Sequence, residues 1–210
     1  MKKTLLLILM CFSSVANAAV ITTFNDRMGF EAAAGTLATE TFNSFTEQTP
    51  FHTTPLDVGD FSLSLTGTPQ TGERNSIDLQ PPQFSEFDVD GTTLANVLIQ
   101  TGTSFFITFD NPIFEFGADF GSIQDGQLRT NVYVGNDVLT PLLNTNFFGL
   151  ISDTAFSVLE FRADFGVGDG FGLDNVSYGV SPVPVPAAAW LFGSALLGFF
   201  GFSKRKKTIA

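Results

Sequence analysis

Between residues 19 and 182 this chain has no cysteine, no lysine and no tryptophan, and a single histidine, His52. Each absence closes a class of chemistry. The one cysteine of the 210 residues is Cys11, inside an apolar run near the start, so a chain that loses that run can form no disulfide. Without lysine there is no amine for Schiff-base catalysis. One histidine and no thiol leave zinc without its usual ligands. A Ser-His-Asp triad would have to use His52, in the loop PFHTTP, yet no nucleophile-elbow pattern accompanies it. Carboxylate-pair glycoside hydrolysis is the one catalytic chemistry left, and the acids are too many to single out a pair.

Positive charge is scarce as well. Residues 19 to 182 hold only Arg27, Arg74, Arg129 and Arg162 against all 21 acidic residues, a net charge of −17. Such a body repels phosphate backbones and anionic lipid surfaces, which excludes nucleic acid as a partner. The acidity favours solubility outside the cell and is also compatible with cation binding.

What is present at the start is a leader. Met1-Lys2-Lys3 is a positive region, Leu5 to Phe12 is a short apolar region, and Ala16-Asn17-Ala18 is a small-x-small cleavage site. This pattern predicts a secretory signal peptide over residues 1–18 with Ala19 as the first mature residue. The apolar run is too short to span a bilayer. Cys11 lies inside it without small neighbours, so a lipoprotein signal does not fit.

The end is a three-part tail. Pro182, Pro184 and Pro186 alternate with Val183 and Val185, which predicts an extended, accessible segment because proline fixes φ and disfavours helix in the residue before it. A helix over residues 187–203 comes next. Its uncharged run, Ala187 to Phe202, would reach about 24 Å, marginal against a hydrocarbon core of about 30 Å. Trp190 sits near the outer end, and Lys204, Arg205, Lys206 and Lys207 close the run on the side that stays in the cytoplasm. Ser194 and Gly198 form a small-xxx-small pair on this helix.

This arrangement, Val183-Pro184-Val185-Pro186 followed by Ala187-Ala188-Ala189-Trp190-Leu191-Phe192 and the basic end 204–207, resembles a PEP-CTERM sorting signal. Val185 stands where the family's name-giving glutamate is found, as in a variant form of the signal. The resemblance covers residues 182–207. It implies an exported protein of a Gram-negative bacterium that makes exopolysaccharide, first held in the membrane and then processed at the proline motif by an exosortase. The mature form would reside at the cell surface or in the extracellular matrix.

The body, residues 19–181, reads as strands and turns. Asn25 or Asp26 is placed to cap one short helix from Arg27 through Ala34, closed by Gly35. Elsewhere, apolar residues alternate with polar ones: Phe105, Ile107 and Phe109 share one face, and Phe114, Phe116, Ala118 and Phe120 lie opposite Glu115 and Asp119. Residues 128–134 put Leu128, Thr130, Val132 and Val134 on one side and Arg129, Asn131 and Tyr133 on the other. Further strands are expected in DFSLSL, ANVLIQ, FFGLIS, FSVLEF and LDNVSY. Short strands between Gly, Asn, Asp and Pro turns predict an all-β, antiparallel β-sandwich. Twenty phenylalanines in the body supply its core.

Residues 146–179 resemble the closing strands of exported bacterial jelly-roll domains, carbohydrate-binding modules among them, which often end in an Asp-Asn-Val pattern, here Asp174-Asn175-Val176. That resemblance implies a structural Ca²⁺ between an early acidic residue and the closing aspartate, which by position are Glu40 and Asp174. Calcium takes six to eight oxygens, so other groups would complete the shell; the alternative is two solvated acids at sheet edges. In EFDVDG, a strand would align Glu86, Asp88 and Asp90 opposite Phe87 and Val89, and a solvated face is the simpler reading because the spacing of a calcium loop is missing. Asp164 and Asp169 lie in a glycine-rich loop explained by turn chemistry. Two functions remain: a non-enzymatic surface or matrix protein associated with extracellular polysaccharide, and a glycan-binding module or glycan-active enzyme.

Overall fold

A computed structural model describes residues 19–67, 74–82, 84–123, 130–139, 146–163 and 168–180. Leader and tail, with Ala16, Ala18, residues 182–186, Trp190 and residues 204–207, lie outside the described residues. So do Arg129 and Asp164. In chain order the strands are β1 (Ile21–Phe24), β2 (Ala38–Glu40), β3 (Thr49–Pro50), β4 (Leu56–Asp57), β5 (Phe61–Thr66) and β6 (Ser76–Asp78). After these come β7 (Leu94–Ile99), β8 (Ser104–Gly121), β9 (Thr130–Val134), β10 (Asp137–Leu139), β11 (Phe147–Ala163) and β12 (Asp169–Gly179). One helix, α1 (Arg27–Ala33), joins β1 to β2, and a 3₁₀ turn (Ser85–Phe87) lies between β6 and β7.

Asp26, not Asn25, caps α1: its carboxylate accepts from the Gly29 amide at 2.7 Å. The helix ends one residue before the expected Ala34, whose extended backbone stops it.

The pairing is antiparallel throughout and builds a β-sandwich-like fold from two long strands that serve both layers. Residues 104–109 of β8 pair with β5 and with residues 158–162 of β11, while residues 115–119 pair with residues 147–151. Both strands turn from one layer to the other where their register slips, at exposed Asp110 to Pro112 and Asp153 to Ala155. Sequence reading broke each strand into two at these points. The front layer runs β4, β5, β8, β11, β9, β10; in the back layer β8 is flanked by β11, which carries β1, and by β12, which leads to β2, β7, β6 and β3.

The alternation read in the sequence holds except at Phe114, which is half-buried while Ile113, next to the bend, enters the core. Phe105, Ile107, Phe109, Phe116, Ala118, Phe120, Val132 and Val134 are all buried in the core. Rings from the two layers meet there: Phe105 lies 6.3 Å from Phe171, Phe161 lies 6.0 Å from Phe171, and Phe109 lies 6.5 Å from Phe116. Ring pairs at these separations add to the stabilisation from apolar area itself.

Among the described residues no helix is long and apolar enough to cross a membrane.

Candidate functional site

The outward face of the back layer is covered at two places, and glycine makes both coverings close. Phe30 of α1 lies over Gly117 and Gly149, where an added Cβ would come within 2.7 and 2.8 Å of its ring. On the other side the backbone at Phe87 lies against Gly121 and Gly172, leaving no room for any side chain. The segment 86–90 is therefore not a strand. Phe87 is buried against the sheet as part of the 3₁₀ turn, and Glu86, Asp88 and Asp90 line a cleft of about 350 Å³ together with Asp119.

A polar cluster occupies the space between these two coverings. It is organised by a bulge in β12: Asp174 opposes Asp119 of β8, and the next pair is Ser177 with Gly117, so one extra residue is accommodated. Asn175 takes the extra position with φ 51°, a left-handed conformation that asparagine tolerates better than most residues. Its side-chain amide donates to Asp90 at 3.1 Å and to Asp119 at 3.0 Å. Arg27 crosses from α1 and donates through Nε to Asp119 at 3.2 Å, with its Nη2 2.9 Å from the other carboxylate oxygen. The same guanidinium donates to the Asn175 carbonyl at 2.9 Å and the Ser177 hydroxyl at 3.0 Å.

Asp174 is completely buried. Burial pushes its carboxyl up to about 7; the Asn175 amide, donating at 2.6 Å, opposes that shift, and the charges on Asp90 and Asp119 add to it. Asp90 goes the other way, held below the usual carboxylate range chiefly by the Thr92 hydroxyl. Thr92 Oγ1 lies 2.6 Å from Asp90 and 3.1 Å from Asp174. A hydroxyl has one proton to give. With that proton on ionised Asp90, the contact to Asp174 is a hydrogen bond only while Asp174 carries its own. On the acid side of neutrality two acids of the same type thus occupy opposite protonation states.

The pair suggested for calcium, Glu40 and Asp174, lies on adjacent strands, Glu40 opposite Val176. Glu40 accepts from the Phe42 amide at 2.6 Å, and Asp174 is engaged by Thr92 and Asn175. Among the described residues no group of three or more His, Cys, Asp or Glu side chains is disposed to hold a metal ion. These two carboxylates alone fall short of a calcium shell.

His52, between β3 and β4, has its Nδ1 buried without a hydrogen-bond partner, so no carboxylate orients that nitrogen as in a triad. Asp169 is buried and accepts from the Thr130 hydroxyl.

Sequence reading singled out Asp174 and the 86–90 acids but did not bring them together, and it passed over Thr92 and Arg27. A usable signal existed for Arg27: in a body of charge −17, one of only four cations beside a helix cap invites a search for its carboxylate. No family model matches this chain, and no curated protein is significantly similar to it.

Proposed function

We propose that this chain is an exported, non-enzymatic component of the cell surface or exopolysaccharide matrix, addressed by a PEP-CTERM-like tail and processed by an exosortase at residues 183–186. The observation that carries the proposal is the ordered sequence of proline motif, uncharged run and four cations following an acidic body. Two structural facts support it. The last strand ends at Gly179 and Val180 is 61% exposed, so the chain leaves the core at the surface, within reach of a processing enzyme. Asp174 and the partly buried Asp119 are bonded to neighbouring segments of the fold, which suits a structural role.

Mass spectrometry of the protein from its native host tests this reading, with Pro184→Ala and Pro186→Ala alongside. A mature carboxyl terminus between Val183 and Ala187, lost in the variants, is the expected result. An intact Ala210 terminus in the membrane fraction would reduce the tail to a plain anchor and sink the sorting reading.

One observation favours the second reading, glycan binding. On the solvent side of the front layer, Ser64, Phe106, Glu160, Tyr133 and Val138 form one row across five strands. Arg162 lies over the Tyr133 ring at 4.2 Å and grips Glu160 with two 2.6 Å contacts. Rings beside polar groups on an open sheet suit an extended sugar chain. Retardation in native gels containing hydroxyethyl cellulose, reduced at least threefold by Phe106→Ser, would establish it; equal mobility with and without the polymer would end it.

A further inference from the structure

A second cleft, of about 410 Å³, lies where the β9–β10 turn of the front layer meets the bend of β11, and is lined by Ala19 together with Val134, Asp137, Ser152, Thr154 and Phe156, among others. Nothing in the acid cluster or the tail accounts for it. Ala19 is also the residue that the small-x-small site would leave at the amino end of the mature chain.

The chain next to Ala19 is held firmly. The Val20 amide donates to the Asp153 carboxylate at 2.9 Å, and the Asp153 amide donates to the Val20 carbonyl at 3.2 Å. Strand β1 then continues the ladder from Ile21 opposite Ser152 to Phe24 opposite Gly149. Covalent geometry places the backbone nitrogen of Ala19 about 3.5 Å from that of Val20, and hence within about 6.5 Å of the Asp153 carboxylate. Asp137, at the start of β10, lines the same cleft. Asp153 lies outside that lining and is tied to the chain next to Ala19 by the Val20 amide, so one carboxylate, Asp137 from β10, shares the cleft with Ala19 and a second, Asp153 from β11, adjoins it; the lining holds no cation.

We propose that this cleft is a docking site for the chain's own amino terminus, taking the primary ammonium of Ala19 between Asp153 and Asp137. The inference rests on the export reading. Hydrolysis of the Ala18–Ala19 amide breaks the C–N bond, adds the oxygen of water to the Ala18 carbonyl carbon and leaves an ammonium on Ala19. Before cleavage the same nitrogen is a neutral amide and has no charge to pair with two carboxylates. Removal of the leader therefore does more than release the body: it completes an ionic contact that fastens β1, an outermost strand of the back layer. The charges are complementary, since a cation enters a body that holds four arginines against 21 acids.

The scarcity of lysine makes the test clean. In a chain running from Ala19 to Ala210 the only primary amines are the Ala19 terminus and Lys204, Lys206 and Lys207, and tryptic cleavage at arginine separates the amino-terminal peptide from all three lysines. The chain, kept in a non-ionic detergent, is acetylated with an N-hydroxysuccinimide ester across pH 6.5–10, and the amino-terminal peptide is followed by mass spectrometry. The lysines serve as internal reference.

At pH 7.5 the folded terminus is expected to react about three- to tenfold more slowly than in 8 M urea, because neighbouring carboxylates keep the amine protonated. The difference should vanish by pH 10 and fall by at least half in Asp153→Asn or Asp137→Asn. Equal rates in folded and unfolded chain overturn the inference, as does protection that persists unchanged at pH 10, which would be steric. Protection indifferent to both substitutions overturns it too. Sequencing the exported protein separates this failure from that of its premise: a terminus other than Ala19 removes both, whereas Ala19 with an ordinary amine removes the docking site alone.

Discussion

Asp174 and Asp119 stand directly opposite each other on β12 and β8, and only Asp119 has a cation, Arg27, bound to it. Asp174, without a cation and fully buried, keeps its proton to about pH 7 because burial penalises its charged form. It gives the folded protein a pH dependence of unusual sign for a carboxylate.

The Asp174 carboxyl ionises near 3.8 in an unfolded chain and near 7 in the folded one. Between those values the folded state holds a proton that the unfolded state has released. Stability from this group is therefore greatest below pH 4 and declines as pH rises to 7, by about 4 kcal/mol at most. Urea titrations of Asp174→Asn should show this decline removed and a higher midpoint than the parent at pH 8, since an amide can donate to Thr92 at any pH. Parallel curves for parent and variant from pH 4 to 8 would show that Asp174 ionises normally.

Arg27→Lys keeps the charge but cannot reach Asp119, the Asn175 carbonyl and the Ser177 hydroxyl at once. The expected loss is about 1–2 kcal/mol by chemical denaturation, with part exposure of the pair moderating the ionic share. A variant as stable as the parent would mean that the bulge at Asn175 holds without its guanidinium.

Gly172→Ala should be among the most damaging small substitutions in the body. The new methyl group meets the Phe87 backbone, which a side-chain rotation cannot relieve. Displacement of the 3₁₀ turn at a cost of about 1–3 kcal/mol is expected, read as a lower melting temperature and faster amide exchange over residues 84–93. Gly135→Ala serves as a contrast, since open space surrounds that position and only its left-handed backbone resists.

Phe161→Ala removes a ring that touches Phe105, Phe120 and Phe171. The cavity and the lost burial should cost about 3–5 kcal/mol. That loss should be read as a lower melting temperature and a lower urea midpoint than the parent's.

The parts of the fold that were legible in the sequence are those that period-2 alternation controls. Residues 104–109 and 130–134 face as read, and the cap of α1 stands beside the first helical residue. Alternation tells which side chains share a face, but it does not tell what covers the other face. Glu115 shows the limit. It lies on the polar side of β8 as expected, yet it is fully buried beneath the chain after α1, where it accepts from the Gly35 amide at 2.9 Å. Pro112 misled for a different reason: it lies at the bend where β8 passes between layers, a place that tolerates proline without ending the strand. The cluster around Asp174 escaped because its members come from four separate stretches of chain and meet only through a bulge.

The long strands β8 and β11 have a mechanical consequence. Each is hydrogen-bonded into both layers, so the layers cannot slide or peel apart without tearing a ladder lengthwise. Load applied at Val180 enters β12 along its own axis, and β12 is flanked on one side by β8 and on the other by β7 and β2. The bonds on both sides then bear the force in shear, many at once, rather than opening one by one from an end. A pull on the carboxyl end meets a strand paired along both of its edges.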